Sequence, residues 1–194
     1  MTRRALIVGT SPGARVHLDA LWATDFEMVL TANAGCHLVP NPTHYMLYDS
    51  KAAKLYERIY RAMQGNGTKL VRTVMMKTAN SRDNPLYRKA VEQSLRTRSN
   101  YDDFAWFLPW PGECQWEPGT YVQAKRVGVL MLQYAANSGA DEIHVAGCQG
   151  FTPPGNYEAM MAFVPTRVPM QRFVFHGPLT YEGHLRGANV AVQS

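Results

Sequence analysis

Cysteine is scarce: Cys36, Cys114 and Cys148 are the only three in 194 residues. They are odd in number and lack the C-x-x-C spacing of a zinc or redox motif, so no disulfide framework and no metal site is expected. Long apolar runs are missing too. No stretch of about 18 apolar residues is present to span a bilayer. The N-terminal Met1-Thr2-Arg3-Arg4 is followed by too few apolar residues before Gly9 for a signal-peptide core, and a cytoplasmic location is the expectation. There is no internal repeat, no low-complexity segment and no run of like charge. The 20 Lys and Arg against 15 Asp and Glu leave +5, dispersed along the chain. Dispersed positive charge suits an anionic small molecule as well as nucleic acid, so it does not identify the partner.

What the chain does have is a hydrophobic fraction of 46% with 18% charged residues, in a length suited to one core. Ala5-Leu6-Ile7-Val8 is a short apolar run followed by Gly9-Thr10-Ser11-Pro12-Gly13 and a helix-compatible stretch from Arg15 to Trp22. Such a run reads as a strand buried on both faces, as in parallel sheets. Glu27 to Thr31, His44 to Tyr48, Lys69 to Met75, Phe104 to Leu108, Glu142 to Ala146 and the region of Arg172 to Phe175 read as further strands. Between them lie helical patterns: Ala52 to Met63, with Leu55, Ile59 and Met63 spaced by four and Gly65-Asn66-Gly67 as its stop, and Leu86 to Arg96. Gly119 to Asn137 is the longest, apolar nearly all round and hence expected to be buried. Strands alternating with helices predict a single Rossmann-like α/β domain over 1–194, with a mostly parallel sheet and flanking helices. Residues 98–118, rich in Pro, Gly and aromatic side chains, are expected to supply a lid.

The loop after the first strand leads the candidate sites. Backbone N–H groups at a glycine turn and helix start attract anions, and Gly9 and Gly13 permit close approach while Ser11 can cap the helix or bond a phosphate. The spacing is neither a P-loop nor a full G-x-G-x-x-G, and an ordinary strand-to-helix turn reads the same way. Asn33 follows the second strand, where it can bind a base or ribose or support its own turn. Asp49 follows the third, where it can bind a hydroxyl or cap the next helix. Aromatic residues from Phe104 to Trp116 suit stacking on a base or sugar, or core packing.

In order, I-V-G-T-S-P-G, T-A-N-A-G, T-H-Y-M-L-Y-D, P-G-T-Y-V and A-A-N-S-G-A-D-E-I-H-V-A-G-C resemble the bacterial sialyltransferase-like superfamily, from about Ala5 to Gly150. That group includes surface-glycan sialyltransferases and hydroxymethylpterin pyrophosphokinase-like proteins. The resemblance implies a nucleotide held by Gly9, Ser11, Gly13 and Asn33, and by Gly119 and Thr120 at the start of the long helix. Where relatives carry an Asp after the last motif, this chain has Gly147-Cys148-Gln149. Tyr157, Tyr181, His176 and His184 are the candidates for the family's phosphate-binding tyrosines and catalytic histidine. Of six histidines, His184 is taken as general base, because imidazole titrates near neutral pH.

The expected function is a nucleotide-sugar-dependent, metal-independent glycosyltransferase with no required cofactor, using a donor of the CMP-linked kind and a hydroxyl acceptor. The alternatives are a pyrophosphokinase-like phosphotransferase and a non-catalytic nucleotide or nucleic-acid binding protein. No pair of acids at short spacing stands near the glycine loop, and the amide of Gln149 is a poorer partner for Mg²⁺ than a carboxylate.

Overall fold

The apolar run that opens the chain is sealed on both faces: Ala5, Leu6, Ile7 and Val8 have no exposed surface. The computed structural model describes residues 1–11, 14–48, 55–75, 84–97, 100–108, 121–122, 127–148, 171–177 and 190–193. Within them the order is β1 (Arg4–Val8), α1 (Ala14–Leu21), β2 (Met28–Ala32), a 3-10 turn (Asn33–His37), β3 (His44–Leu47), α2 (Glu57–Gly65), β4 (Lys69–Met75) and α3 (Pro85–Arg96). Then come β5 (Asp103–Leu108), β6 (Tyr121–Val122), α4 (Val127–Asn137), β7 (Glu142–Ala146), β8 (Arg172–His176) and β9 (Val190–Gln193). The strands form one sheet in the order β6-β5-β4-β3-β2-β1-β7-β8-β9, and every pairing is parallel. The expected Rossmann-like α/β fold is therefore the fold observed.

The order reverses once, between β1 and β7. Parallel crossovers are right-handed, so helices made while the sheet grows one way cover one face, and the helix that carries the chain back covers the other. The core follows that division. Leu18 and Leu21 of α1 pack on Leu6, Val8 and Ala146, while Tyr60 and Met63 of α2 pack on Tyr45, Leu47 and Leu70. These strand positions share one face of the pleat. The alternate positions, Ala5, Ile7, Leu30, Met46, Ile143, Val145, Phe173 and Phe175, pack with α4. Val129 to Ala136 of α4 are all buried, as its uniformly apolar sequence predicts.

Three expectations need correction. The long helix does not begin at Gly119: Tyr121–Val122 pair with Phe107–Leu108 as β6, and helix starts at Val127. An aromatic and a β-branched residue beside an open strand edge gain more from pairing than from continuing a helix. The stretch 98–118 is not a lid throughout, because it contains β5, whose Ala105 and Trp106 are buried. Phe104 and Trp106 lie under the guanidinium groups of Arg96 and Arg88, at 4.9 and 5.5 Å, and the Trp106 ring N–H donates to Glu92 at 3.0 Å. In the third case Leu55 precedes α2 and is 74% exposed, so the apolar stripe of that helix consists of Ile59, Tyr60 and Met63. α3 starts where its signals put it: Asn84 accepts from the Tyr87 N–H at 3.1 Å and Pro85 occupies the first turn.

At the reversal, β1 and β7 lie closer than side chains allow. The Gly9 N–H donates to Ala146 O at 2.8 Å and the Ser11 N–H to Gly147 O at 2.9 Å. A Cβ on Gly9 would stand 2.2 Å from Gly147 O, and one on Gly147, where φ is +68°, would stand 2.5 Å from Ala14 Cβ. Gly9→Ala should therefore destabilise the fold by about 1–3 kcal/mol, the usual cost of overpacking. Gly147→Ala should cost at least as much, since left-handed backbone adds about 1–2 kcal/mol for a residue with a Cβ. Urea unfolding of both variants measures this, and wild-type midpoints would show that the two turns do not pack as described.

Candidate functional site

In a doubly wound sheet, ligands sit beyond the carboxyl ends of the strands where the order reverses. Here that rim is formed by Gly9 after β1 and Gly147-Cys148 after β7. Two helices begin beside it from opposite faces. Ala14, which opens α1, is within contact of Gly147, and Gly128, in the first turn of α4, faces Cys148, whose Sγ would lie 3.2 Å from a Cβ there. The amino-terminal turn of a helix is its positive dipole end, so both helices favour an anion at this rim, while the first N–H of α1 is itself engaged by Ser11 O at 3.2 Å.

The sequence-derived residues fall unevenly on this frame. Gly9 and Ser11 are at the rim, but their N–H groups are engaged by Ala146 O and Gly147 O. The glycine at position 9 therefore serves the approach of two backbones, and the exposed Thr10 is the apex of the described loop. Asn33 ends β2 one strand away, with a left-handed φ of +51° that Asn tolerates better than most residues. Its carbonyl accepts from the Tyr45 hydroxyl at 3.0 Å and from Cys36 Sγ at 3.1 Å. The Thr31 hydroxyl donates to Val8 O at 3.1 Å, tying β2 to β1 just below the rim. Gly13, Asp49, Gly119, Thr120 and His184 lie outside the described residues.

Neither described cysteine is set up as a nucleophile. Burial pushes the Cys148 thiol up to about 12, and burial also raises that of Cys36 despite backbone hydrogen bonds that oppose it.

A second feature includes His176, one of the sequence-derived candidates for a catalytic histidine, but was not read from the sequence as a group. On the α1 face, Glu142, His144 and His176 form a hydrogen-bonded series: Glu142 Oε1 to His144 Nε2 at 2.9 Å, then His144 Nδ1 to His176 Nε2 at 2.9 Å. The two rings stack with centroids 5.1 Å apart, Phe26 meets His144 edge-on, and His17 of α1 stands 6.4 Å from His176. Glu142 also pairs with Arg4 at 3.2 Å and Arg172 at 3.1 Å. Burial alone would raise its carboxyl, but His144, Arg172 and Arg4 together hold it below the usual range. His176, the last residue of β8, is 6% exposed, and burial with the neighbouring His144 and His17 lowers it to about 4. The available signal was Glu142 and His144 two apart on a strand, which puts both on one face.

Comparisons with family models, with curated proteins and with solved structures find no match to this chain. Among the described residues, no group of three or more His, Cys, Asp or Glu is arranged to hold a metal ion. None of their helices is long and apolar enough to cross a membrane. A cavity of about 270 Å³ opens at the opposite, amino-terminal edge, lined by Arg3, Arg4, Lys69 and the ring of His44. His44 Nδ1 bonds Thr43 Oγ1 at 2.8 Å, and burial, with Lys69 nearby, outweighs Asp103 and Asp102 and lowers it to about 4.

His44 and His176 are thus neutral in the folded protein well below the ordinary histidine value of about 6.5. The unfolded chain takes up these protons first, so stability is full above about pH 6.5 and is lost as pH falls toward 4. Each ring should cost roughly 1–2 kcal/mol between pH 7 and pH 5. Urea unfolding at the two pH values should show the loss, and a smaller one in His44→Asn. An equal loss in that variant would mean His44 is not among the acid-sensitive groups.

Proposed function

We propose that the protein binds a nucleotide, or a nucleotide-activated substrate, at the carboxyl-end rim between β1 and β7. The observation that carries this reading is the convergence of two helix starts, α1 and α4, on the one place where the strand order reverses. A phosphate is the ligand group best matched to two positive dipole ends. Asn33, exposed in part on the next strand end, is in position for the ribose or base.

Of the activities such a site can host, we favour transfer of a sugar from a nucleotide donor to a hydroxyl acceptor, in a cytoplasmic enzyme that needs no metal. This rests on the motif resemblance to the bacterial sialyltransferase-like superfamily. It also rests on the chemistry of the departing group, because a nucleotide phosphate leaves with negative charge that helix-end amides stabilise without a cation.

A thermal-shift panel of nucleotides tests binding. At about 100 times its dissociation constant a ligand adds about 2.7 kcal/mol, which for a chain of this size is a shift of roughly 5–10 °C. Asn33→Gly keeps the positive φ but removes the amide, and should weaken the preferred nucleotide about 2- to 10-fold at little cost in stability. Turnover of CMP-linked and other nucleotide sugars that survives EDTA is the expected activity. Mg²⁺-dependent release of AMP from ATP with a pterin acceptor would replace it with pyrophosphate transfer, and nucleotide binding without either turnover would leave a binding protein.

A further inference from the structure

We infer that the cavity at the amino-terminal edge of the sheet is a second ligand site, taking a molecule smaller than a nucleotide sugar that bears a phosphate or carboxylate group. The cavity opens where β1 to β4 begin and α4 ends. The length of β1, about 13 Å, separates it from the rim between β1 and β7. It is thus a different place from the proposed nucleotide site and is argued from different residues.

Its lining carries three cationic side chains, Arg3, Arg4 and Lys69, against one carboxylate, Glu27. The Arg3 backbone N–H donates to Asp141 at 2.8 Å, and its guanidinium lies against the turn that ends α4, where a Cβ on Gly139 would stand 2.7 Å from Nη1. Arg3 meets Glu27 through Nε at 3.5 Å, and Arg4 meets Glu142 through Nε at 3.2 Å. A guanidinium has five N–H donors, so one carboxylate at Nε does not exhaust it. The Lys69 ammonium has no carboxylate or hydrogen-bond partner among the described residues. A ligand anion would supply one.

The rest of the lining sets the kind of anion. His44 and Tyr134 form the inner wall, with ring centroids 5.7 Å apart. The Tyr134 hydroxyl donates to Asp103 at 2.7 Å and His44 Nδ1 bonds Thr43, so the pair adds mainly ring surface. His44 is neutral at pH 7 and brings no competing charge. Cations beside such a low-dielectric wall concentrate their field in the cleft. Glu27 and the carbonyl end of α4 add negative character on the other side, which favours an anion that also carries hydroxyl or ammonium donors. The volume of about 270 Å³ falls just below the roughly 300–1,000 Å³ of pockets for drug-sized ligands, which sets the small size.

Titration of the full chain at pH 7 with inorganic phosphate, glycerol 3-phosphate and malate, followed by proton–nitrogen NMR, tests the site. The expected result is saturable movement of the His44 ring and Lys69 amide signals, while those of His144 and His176 stay in place. Glycerol 3-phosphate or malate should bind tighter than inorganic phosphate, and the order of those two tells a phosphate site from a carboxylate site. Uncharged glycerol should move nothing. Lys69→Gln, which has no ammonium partner to lose, should weaken binding about 3- to 10-fold, and Lys69→Arg should keep it within about twofold. No movement with any of the three anions, movement that grows without saturating, or equal affinity in a folded Lys69→Gln overturns the site. Nucleotide binding at the rim should be the same in Lys69→Gln as in the parent chain, and Asn33→Gly should leave the anion titration unchanged. Failure of one site is thereby told apart from failure of the other.

Discussion

The sheet depends on the backbone contact between the ends of β1 and β7. β1 is an interior strand between β2 and β7, and the segment that joins it to β7 arrives only after the chain has built five further strands and come back across the other face. The whole of β1 and the whole of β7 pair in register, Arg4 with Glu142 through Val8 with Ala146. Beyond that register the ladder is carried two steps further by turns, Gly9 to Ala146 O and Ser11 to Gly147 O. No residue with a Cβ fits at either glycine. Each such bond adds on the order of 1 kcal/mol net, but it closes a loop of more than 130 residues, so its structural consequence exceeds its energy.

The same contact shapes the candidate site. By using the N–H groups of Gly9 and Ser11 for the sheet, the chain removes two donors that a phosphate-binding loop would ordinarily present. On the proposed function, anion affinity at this rim comes from the dipole ends of the two helices and from side chains at neighbouring strand ends. That separates the site from a P-loop, in which the loop backbone itself wraps the phosphate. It also gives Cys148 a packing role: its sulfur fills the space left by Gly9 and Gly128, so α4 can approach the sheet from one face while α1 approaches from the other.

Parallel pairing and the buried character of α4 were legible because each rests on composition that has one physical outcome. An apolar run of four residues with no polar alternation cannot face water on either side, and an eleven-residue helix apolar all round cannot lie on a surface. β6 was not legible, because two residues carry no periodicity and form a strand only when β5 is beside them. The role of Gly9 was half legible. A glycine in a strand-to-helix turn signals a close approach, but the sequence does not say whether a ligand or another strand makes it, and here β7 does. The histidine series was hidden for a similar reason: His144 and His176 are 32 residues apart and meet only through the pairing of β7 with β8.

That series occupies positions where the rest of the face is apolar. Leu6 and Val8 flank it on β1, Ala146 and Val174 share its strands, and Phe26 covers it. A polar ring buried there without a partner costs on the order of 1–3 kcal/mol, which Leu or Val at the same two positions would avoid. Glu142 adds a second cost, since a half-shielded carboxylate is stable only when its charge is answered, and three cations or cation-capable groups answer it. The arrangement escapes the penalty only as a whole, because each group is the partner of the next. Stability by itself favours the apolar alternative, so the face formed by β7 and β8 depends on Glu142, His144 and His176 being present together, and removing any one of them leaves its neighbour as a buried polar group without that partner.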